Sequence, residues 1–215
     1  MGEVVERFPL FPLGIVLLPT EIVPLHIFEE RYKLMIRECL DSGDEFGIVW
    51  LSGDGLREVG CTAGVSEVLK ELEDGRMNIL VGGGRPFRLL RRIDDMPYPA
   101  GDVEMLEDTA DETAAAAAAA SLAELTSETH ERYADLVELV TDERPSPEDL
   151  EHLDAYGMAA TIEFDAAPKQ ELLELRSERE RLVQVRDLFV ATMKRIAEAE
   201  EAGELARSNG RIRIG

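Results

Sequence analysis

The sequence predicts an α+β fold: a strand-rich N-terminal half crossed by one helix, then a C-terminal half of three helices, one of them long. Three observations carry this expectation. Between Val4 and Leu106 the apolar residues come in short runs broken by proline and glycine, the pattern of strands and turns. After about Asp108 their spacing becomes three and four residues, the period of a helix. Apolar residues make up 45% of the 215, enough buried surface to offset the entropy of ordering the chain.

Taken in order, Val4–Leu10, Ile15–Leu18 and Ile22–His26 are apolar runs punctuated by Pro9, Pro12, Pro19 and Pro24. A proline cannot donate to a sheet ladder, so these should mark strand ends or edges. A helix is expected over Phe28–Asp41, with Tyr32, Met35, Ile36 and Cys39 on one face. Phe46–Leu51 reads as a buried strand. Asp74-Gly75 joins Val68–Leu72 to Met77–Val81 as a hairpin, because Asp-Gly suits the positive φ angles of a tight turn. Phe87–Leu90 and Val103–Leu106 continue the strands, with Gly82-Gly83-Gly84 read as a turn or bulge between two of them. So many short strands around a single helix suggest a small twisted barrel.

In the second half Thr113 is the expected cap of a helix running through the alanines from Ala114 to about Val140. Ser146-Pro147-Glu148-Asp149 has the residue types of a capped helix start, and this helix is expected to reach Phe164. Asp165–Pro168 opens the last and longest helix, toward Ala202-Gly203, with Leu175, Leu182, Phe189 and Ile196 at heptad spacing. In a chain of this size such a stripe packs on neighbouring helices or pairs two copies of the chain. The expected domains are residues 1–108 and 109–207, followed by a tail at 208–215 in which Ile212 and Ile214 could add an edge strand.

Charge narrows the function. There are 45 acidic residues against 23 Lys and Arg, net −22, so phosphate backbones and anionic lipid surfaces are repelled. Residues 102–154 hold 17 acids and two bases, whereas residues 169–215 are nearly neutral, so the charge collects on the first two helices and their connections. No secretory signal or apolar span is present, and Cys39 and Cys61 read as reduced, buried thiols of a cytoplasmic protein. His26, His130 and His152 lack partners at zinc spacing, and His26 reads as a satisfied core histidine. No phosphate-cradling loop, nucleophile elbow or cofactor motif occurs, so no catalytic residue, metal or cofactor is expected.

Two places could make contacts instead. Trp50 stands near the end of its strand. Met96 and Tyr98 lie in the proline-stiffened loop Asp95–Pro99, either sealing the strand half against the helices or forming part of a peptide-binding surface. These three are the candidate peptide contacts.

The segments Phe8-Pro9-Leu10-Phe11-Pro12-Leu13 and Leu17-Leu18-Pro19, then Pro24-Leu25-His26-Ile27-Phe28-Glu29-Glu30-Arg31-Tyr32, resemble the opening of the Lon protease N-terminal, substrate-binding domain. The resemblance continues through Gly60, Asp74-Gly75-Arg76, the strand into Gly83, Phe87-Arg88 and Pro97-Tyr98. It departs at Pro86, where the family usually has arginine, and Arg85 stands one place earlier. The resemblance implies a PUA-like pseudobarrel, a helical extension and recognition of exposed or unfolded protein segments. The chain stops where ATPase and protease modules would begin, which implies a stand-alone, non-enzymatic module acting as adaptor or holdase. A monomer or weak homodimer is expected. Pro12, Leu13, Pro24, Leu25, Phe28, Glu29, Arg31, Tyr32, Gly75 and Arg76 are read as fold determinants, with Glu29 and Arg31 bonding loop backbone at the helix start. The rival from another class is a hydrolase or transferase with an unrecognised site. RNA binding on the PUA-like fold is disfavoured by the charge.

Overall fold

In the computed structural model, which describes residues 2–109 and 115–209 (side chains excepted at 115–119 and 204–209), six strands precede most of the helix. They are β1 (Val4–Leu13), β2 (Ile22–Ile27), β3 (Phe46–Ser52), β4 (Gly55–Glu71), β5 (Met77–Ile93) and β6 (Ala100–Met105), with α1 (Glu30–Ser42) between β2 and β3. The fold is thus mixed α+β. The sheet order is β2-β5-β4-β3-β1-β6, and a further β5–β6 pairing brings β6 back to β5, so five strands close on themselves while β2 hangs on β5. Closure removes most open edges. It depends on the length of β5: residues 77–82 pair with β2, and residues 87–93 pair with β6.

The strands are therefore fewer and longer than their local patterns suggest. Phe87–Leu90 is the continuation of β5, and the glycine run lies inside that strand. The reason is steric. The segment after β1 crosses β5 there, and a Cβ on Gly83 would stand 2.0 Å from the Leu18 carbonyl oxygen. Ile15–Leu18 is accordingly no strand, although Val16, Leu17 and Leu18 are buried. Its backbone is satisfied by a short loop network: Leu18 N–H donates to the Glu21 carboxylate at 2.9 Å, and Gly83 N–H donates to the Glu21 carbonyl at 2.8 Å.

Pro9 and Pro12 sit within β1, and Pro24 sits within β2, the strand paired on one side only. A proline there blunts an edge that could otherwise recruit another chain. The hairpin at Asp74-Gly75 forms as expected, with Gly75 at φ 78° and its N–H bonded to the Leu72 carbonyl. Arg76 donates to Asp74 at 2.7 Å, fixing the turn from the outside. The barrel interior is filled by Phe8, Leu10, Val49, Phe87, Val103 and Met105, with Phe8 edge-on to Phe87 at 5.7 Å between ring centroids.

Among the described residues the C-terminal helices number five: α2 (Ala115–Thr141), α3 (Pro147–Leu150), α4 (Ala155–Ala160), α5 (Ala166–Glu174) and α6 (Glu178–Asn209). The second and third expected helices are each broken in two. Ser146 and Asp149 do form the reciprocal cap at the start of α3, but that helix ends after one turn. Leu175 caps the C-terminus of α5 in extended conformation, so the heptad begins at Leu182. Ser208 and Asn209 extend α6, while Thr113 and the isoleucines at 212 and 214 lie outside the described residues.

Contacts group the chain into two compact units, Met1–Asp111 with Ala155–Glu178, and Glu112–Asp154 with Arg179–Gly215. Helices α4 and α5, counted with the helical half in sequence, thus group with the sheet. In that first unit Lys169 of α5 reaches the Glu21 carboxylate at 2.5 and 2.7 Å, and Gln170 donates to the Val59 carbonyl at 3.1 Å. The second unit packs Tyr133 against Phe189 at 5.6 Å and buries Leu136, Leu182 and Val185. There Arg144 meets Glu131, Asp135 and Glu138 at 2.7–2.9 Å, holding the acidic end of α2 to the following loop.

Candidate functional site

One end of the barrel opens into a groove of about 700 Å³. Its floor is the end of β1, where Phe11, Pro12 and Leu13 run parallel to Ile48, Val49 and Trp50. Phe11 is buried and stacks on Tyr32 at 4.1 Å, so the first turn of α1 is fixed to β1 by two aromatic rings. Burial raises the Tyr32 phenol pKa, an effect the neighbouring Arg31 charge opposes. One wall is the end of β2, with Ile27 buried inward and Phe28 left 58% exposed. The other is the β3–β4 hairpin, with Leu51 52% exposed and Leu56 half-buried.

Two large apolar side chains more than half open to water beside a concave apolar floor are the arrangement of a binding surface, not of a core. The polar groups at the rim are few. Glu29 precedes α1, and its carbonyl accepts from the Tyr32 and Lys33 N–H groups. Its side chain makes no cap bond and is taken by Arg31 at 2.8–2.9 Å. The expected bonds from Glu29 and Arg31 to loop backbone are thus replaced by a bond to each other, since residues two apart flank the turn into the helix. The Arg31 guanidinium also lies 4.6 Å from the centre of the Tyr32 ring, a cation–π distance. His26 is exposed, unlike a core histidine. It is satisfied by Asn78 at 2.6 Å and stacks on Phe28 at 5.8 Å.

The groove collects six of the residues read from sequence as fold determinants: Pro12, Leu13, Phe28, Glu29, Arg31 and Tyr32. Pro24 and Leu25 lie in β2 outside its lining, and Gly75 and Arg76 form the distant hairpin turn. The three candidate peptide contacts are not brought together. Trp50 is half-buried under the Arg57 guanidinium, 5.3 Å away, and is not among the residues lining the groove, unlike its neighbour Leu51. Met96 sulfur accepts from Arg7 at 2.9 Å. Tyr98 is buried and donates to Glu38 at 2.5 Å; burial first, and then that carboxylate, push its pKa up to about 12. Sequence reasoning passed over Leu51 and Leu56. The available signal was an apolar residue on either side of the Ser52–Asp54 turn, where polar ones are the rule.

Both cysteines are buried free thiols. Among the described residues no group of His, Cys, Asp and Glu could hold a metal ion, and no helix is long and apolar enough to cross a membrane.

A family model described as the ATP-dependent protease La (LON) substrate-binding domain matches residues 7–191. Among solved structures, the Lon N-terminal domain protein from Xanthomonas campestris is 23% identical with a TM-score of 0.60, over 84% of this chain and 97% of that one. The N-terminal domain of the Mycobacterium avium complex Lon protease is 20% identical with a TM-score of 0.62, over 87% of this chain and 98% of that one. At these identities the likeness to the two structures is one of fold.

Proposed function

This chain belongs to the ATP-dependent protease La (LON) substrate-binding domain family, and from that premise we propose that it is a polypeptide-binding module without chemistry of its own, holding exposed apolar segments of other proteins as an adaptor or holdase. The observation that carries the proposal is the groove at the barrel end, with Phe28 and Leu51 open to water above an apolar floor. A segment laid in this groove would cover Phe28. With 58% of a side chain worth ~200 Å² exposed, that contact supplies about 3 kcal/mol at ~25 cal/mol per Å². Such a surface is specific for shape and apolarity more than for sequence, as binding of unfolded segments requires.

The net charge of −22 keeps a chain with an open apolar groove in solution. The module is expected to work in the cytoplasm, as a monomer or weak homodimer, with protein segments and not nucleic acid or membrane as partners. The groove carboxylate of Glu29 is tied to Arg31, an arrangement suited to shaping a rim and not to proton transfer.

The test is fluorescence anisotropy with labelled, unfolded casein, alongside light scattering of an aggregating client. Phe28→Ser should weaken casein binding at least tenfold without moving the unfolding midpoint, because Phe28 is mostly solvent-exposed. Leu69→Ser, at a 51% exposed position outside the groove lining, should leave binding alone. Equal loss from both substitutions, or from neither, would remove the groove from the account.

A further inference from the structure

The groove just described carries one charge that the fold leaves unanswered. Its charged lining residues are Glu29, Arg31 and Arg92. The first two close on each other. Arg92 is exposed, and its guanidinium forms no ion pair or hydrogen bond with any described residue.

The strand register explains why. Successive residues of a strand face opposite sides. Arg91 pairs across the sheet with Asp102, and their side chains meet at 2.6 Å. Arg92 is opposite Gly101, which offers no side chain at all. That position cannot readily carry one, since a Cβ on Gly101 would stand 2.4 Å from the Leu89 side chain and 2.7 Å from the Arg91 carbonyl oxygen. Arg92 shares an adjoining polar cleft with four carboxylates: Asp95 is held by Arg7 at 3.1 Å and Asp102 by Arg91 at 2.6 Å, while Glu6 and Asp94 form no ion pair with Arg92 within 4.0 Å. A cation with no ion-pair partner among the described residues therefore stands at the rim of an apolar groove, in a chain whose first hundred residues carry 17 acids and 11 bases.

We infer that Arg92 makes this groove selective for protein segments that carry a side-chain carboxylate next to their apolar residues. The inference rests on the groove being the polypeptide site proposed above. The occupant is an extended segment with Asp or Glu flanking an aromatic or aliphatic core: the core covers Phe28 and Leu51, and the carboxylate meets the guanidinium in a forked pair. A chain's terminal carboxylate is a poorer fit. Its capture uses a cluster of converging backbone N–H groups, whereas here a single side chain at an open rim is offered. The pair is exposed, so its effect is modest, about two- to fivefold in affinity. Salt dependence alone does not diagnose it, because salt screens both this attraction and the repulsion between an acidic peptide and a chain of net charge −22.

A mutant cycle isolates the pair. Three labelled peptides share a Phe-Leu-Phe core and Gly-Ser flanks: one with Asp in the flank and an amidated end, one with Asn and an amidated end, and one with Asn and a free carboxylate end. Anisotropy is measured with the full chain and with Arg92→Gln and Arg92→Lys, with Trp50 emission monitoring the fold. The Asp peptide should bind the parent chain about two- to fivefold tighter than its Asn counterpart. That ratio should fall to one with Arg92→Gln and return in part with Arg92→Lys, while the two Asn peptides bind alike. A ratio of one in the parent chain, a ratio that survives Arg92→Gln, or a gain confined to the free carboxylate end each overturns the inference while the groove stands. Failure of all three peptides to bind removes the polypeptide reading of the groove as well.

Discussion

Replacing Lys169 with methionine tests how α5 is held to the sheet. The ammonium lies 2.5 and 2.7 Å from the two oxygens of Glu21, and the side chains are 11% and 13% exposed. Glu21 also accepts the Leu18 N–H and, through its carbonyl, the Gly83 N–H, so the pair ties together α5, the crossing loop and β5. Lys169→Met keeps the length and apolar stem of the side chain but leaves a buried carboxylate with one N–H donor. Breaking a buried pair costs about 3–5 kcal/mol, and residual water contact places this one near the lower end, about 3 kcal/mol. For a chain of this size that is roughly 6–12 °C in Tm. Glu21→Gln should lose a similar amount, since it strands the ammonium instead. The double change removes both charges, and the amide introduced by Glu21→Gln still accepts from Leu18. It should therefore recover more than half of the loss, an energy of interaction that neither single change shows. Trp50 is the chain's one tryptophan and belongs to β3, in the same compact unit as the pair. Its emission during urea unfolding is thus the local readout, with ellipticity following the helices. A single-mutant loss under about 1 kcal/mol, or a double mutant equal to the sum of the singles, refutes the argument.

Two further outcomes follow from steric and ionisation arguments. Gly83→Ala places a Cβ against the backbone oxygen of Leu18, which has no freedom to move, whereas Gly75→Ala meets only the mobile end of Arg37 and the penalty of its φ of 78°. Gly75→Ala should cost about 1–2 kcal/mol and Gly83→Ala at least twice as much by urea midpoint, and the reverse order would sink the close-approach explanation. Burial, and then the charges of Asp44 and Glu38, raise the Cys39 thiol pKa to about 11; burial raises that of Cys61 further still. At pH 8 only about one Cys39 thiol in a thousand is then ionised, so native protein should give no rapid colour with a disulfide reagent and two equivalents once unfolded. Because these values exceed the unfolded ~8.5, the thiols contribute their full stability below that pH and lose it as pH rises beyond. A fast native equivalent would contradict the burial.

What was legible in the sequence divides along the range of the interactions involved. The Asp74-Gly75 hairpin, the Ser146 cap and the buried face of α1 each arise from residues within a few positions of one another, and each stands where the sequence placed it. The closure of β5 on β6 and the parallel pairing of β1 with β3 join segments far apart, and nothing local announces them. The glycine run at 82–84 shows how such a contact misleads. Read locally it is a break between strands; in the fold it lets another backbone pass while the strand continues. The groove is the same problem in three dimensions, for its lining comes from the ends of five strands and the start of α1. Its family-motif residues read as fold determinants because one of them is: Tyr32 holds α1 to β1 by stacking on Phe11. Phe28 lines the same groove as that ring pair, yet it remains open to water. A strand end fixed firmly from below can present an apolar side chain outward without collapsing onto it. Fold and candidate site thus draw on one motif, and the exposure of individual side chains separates them where the motif alone does not.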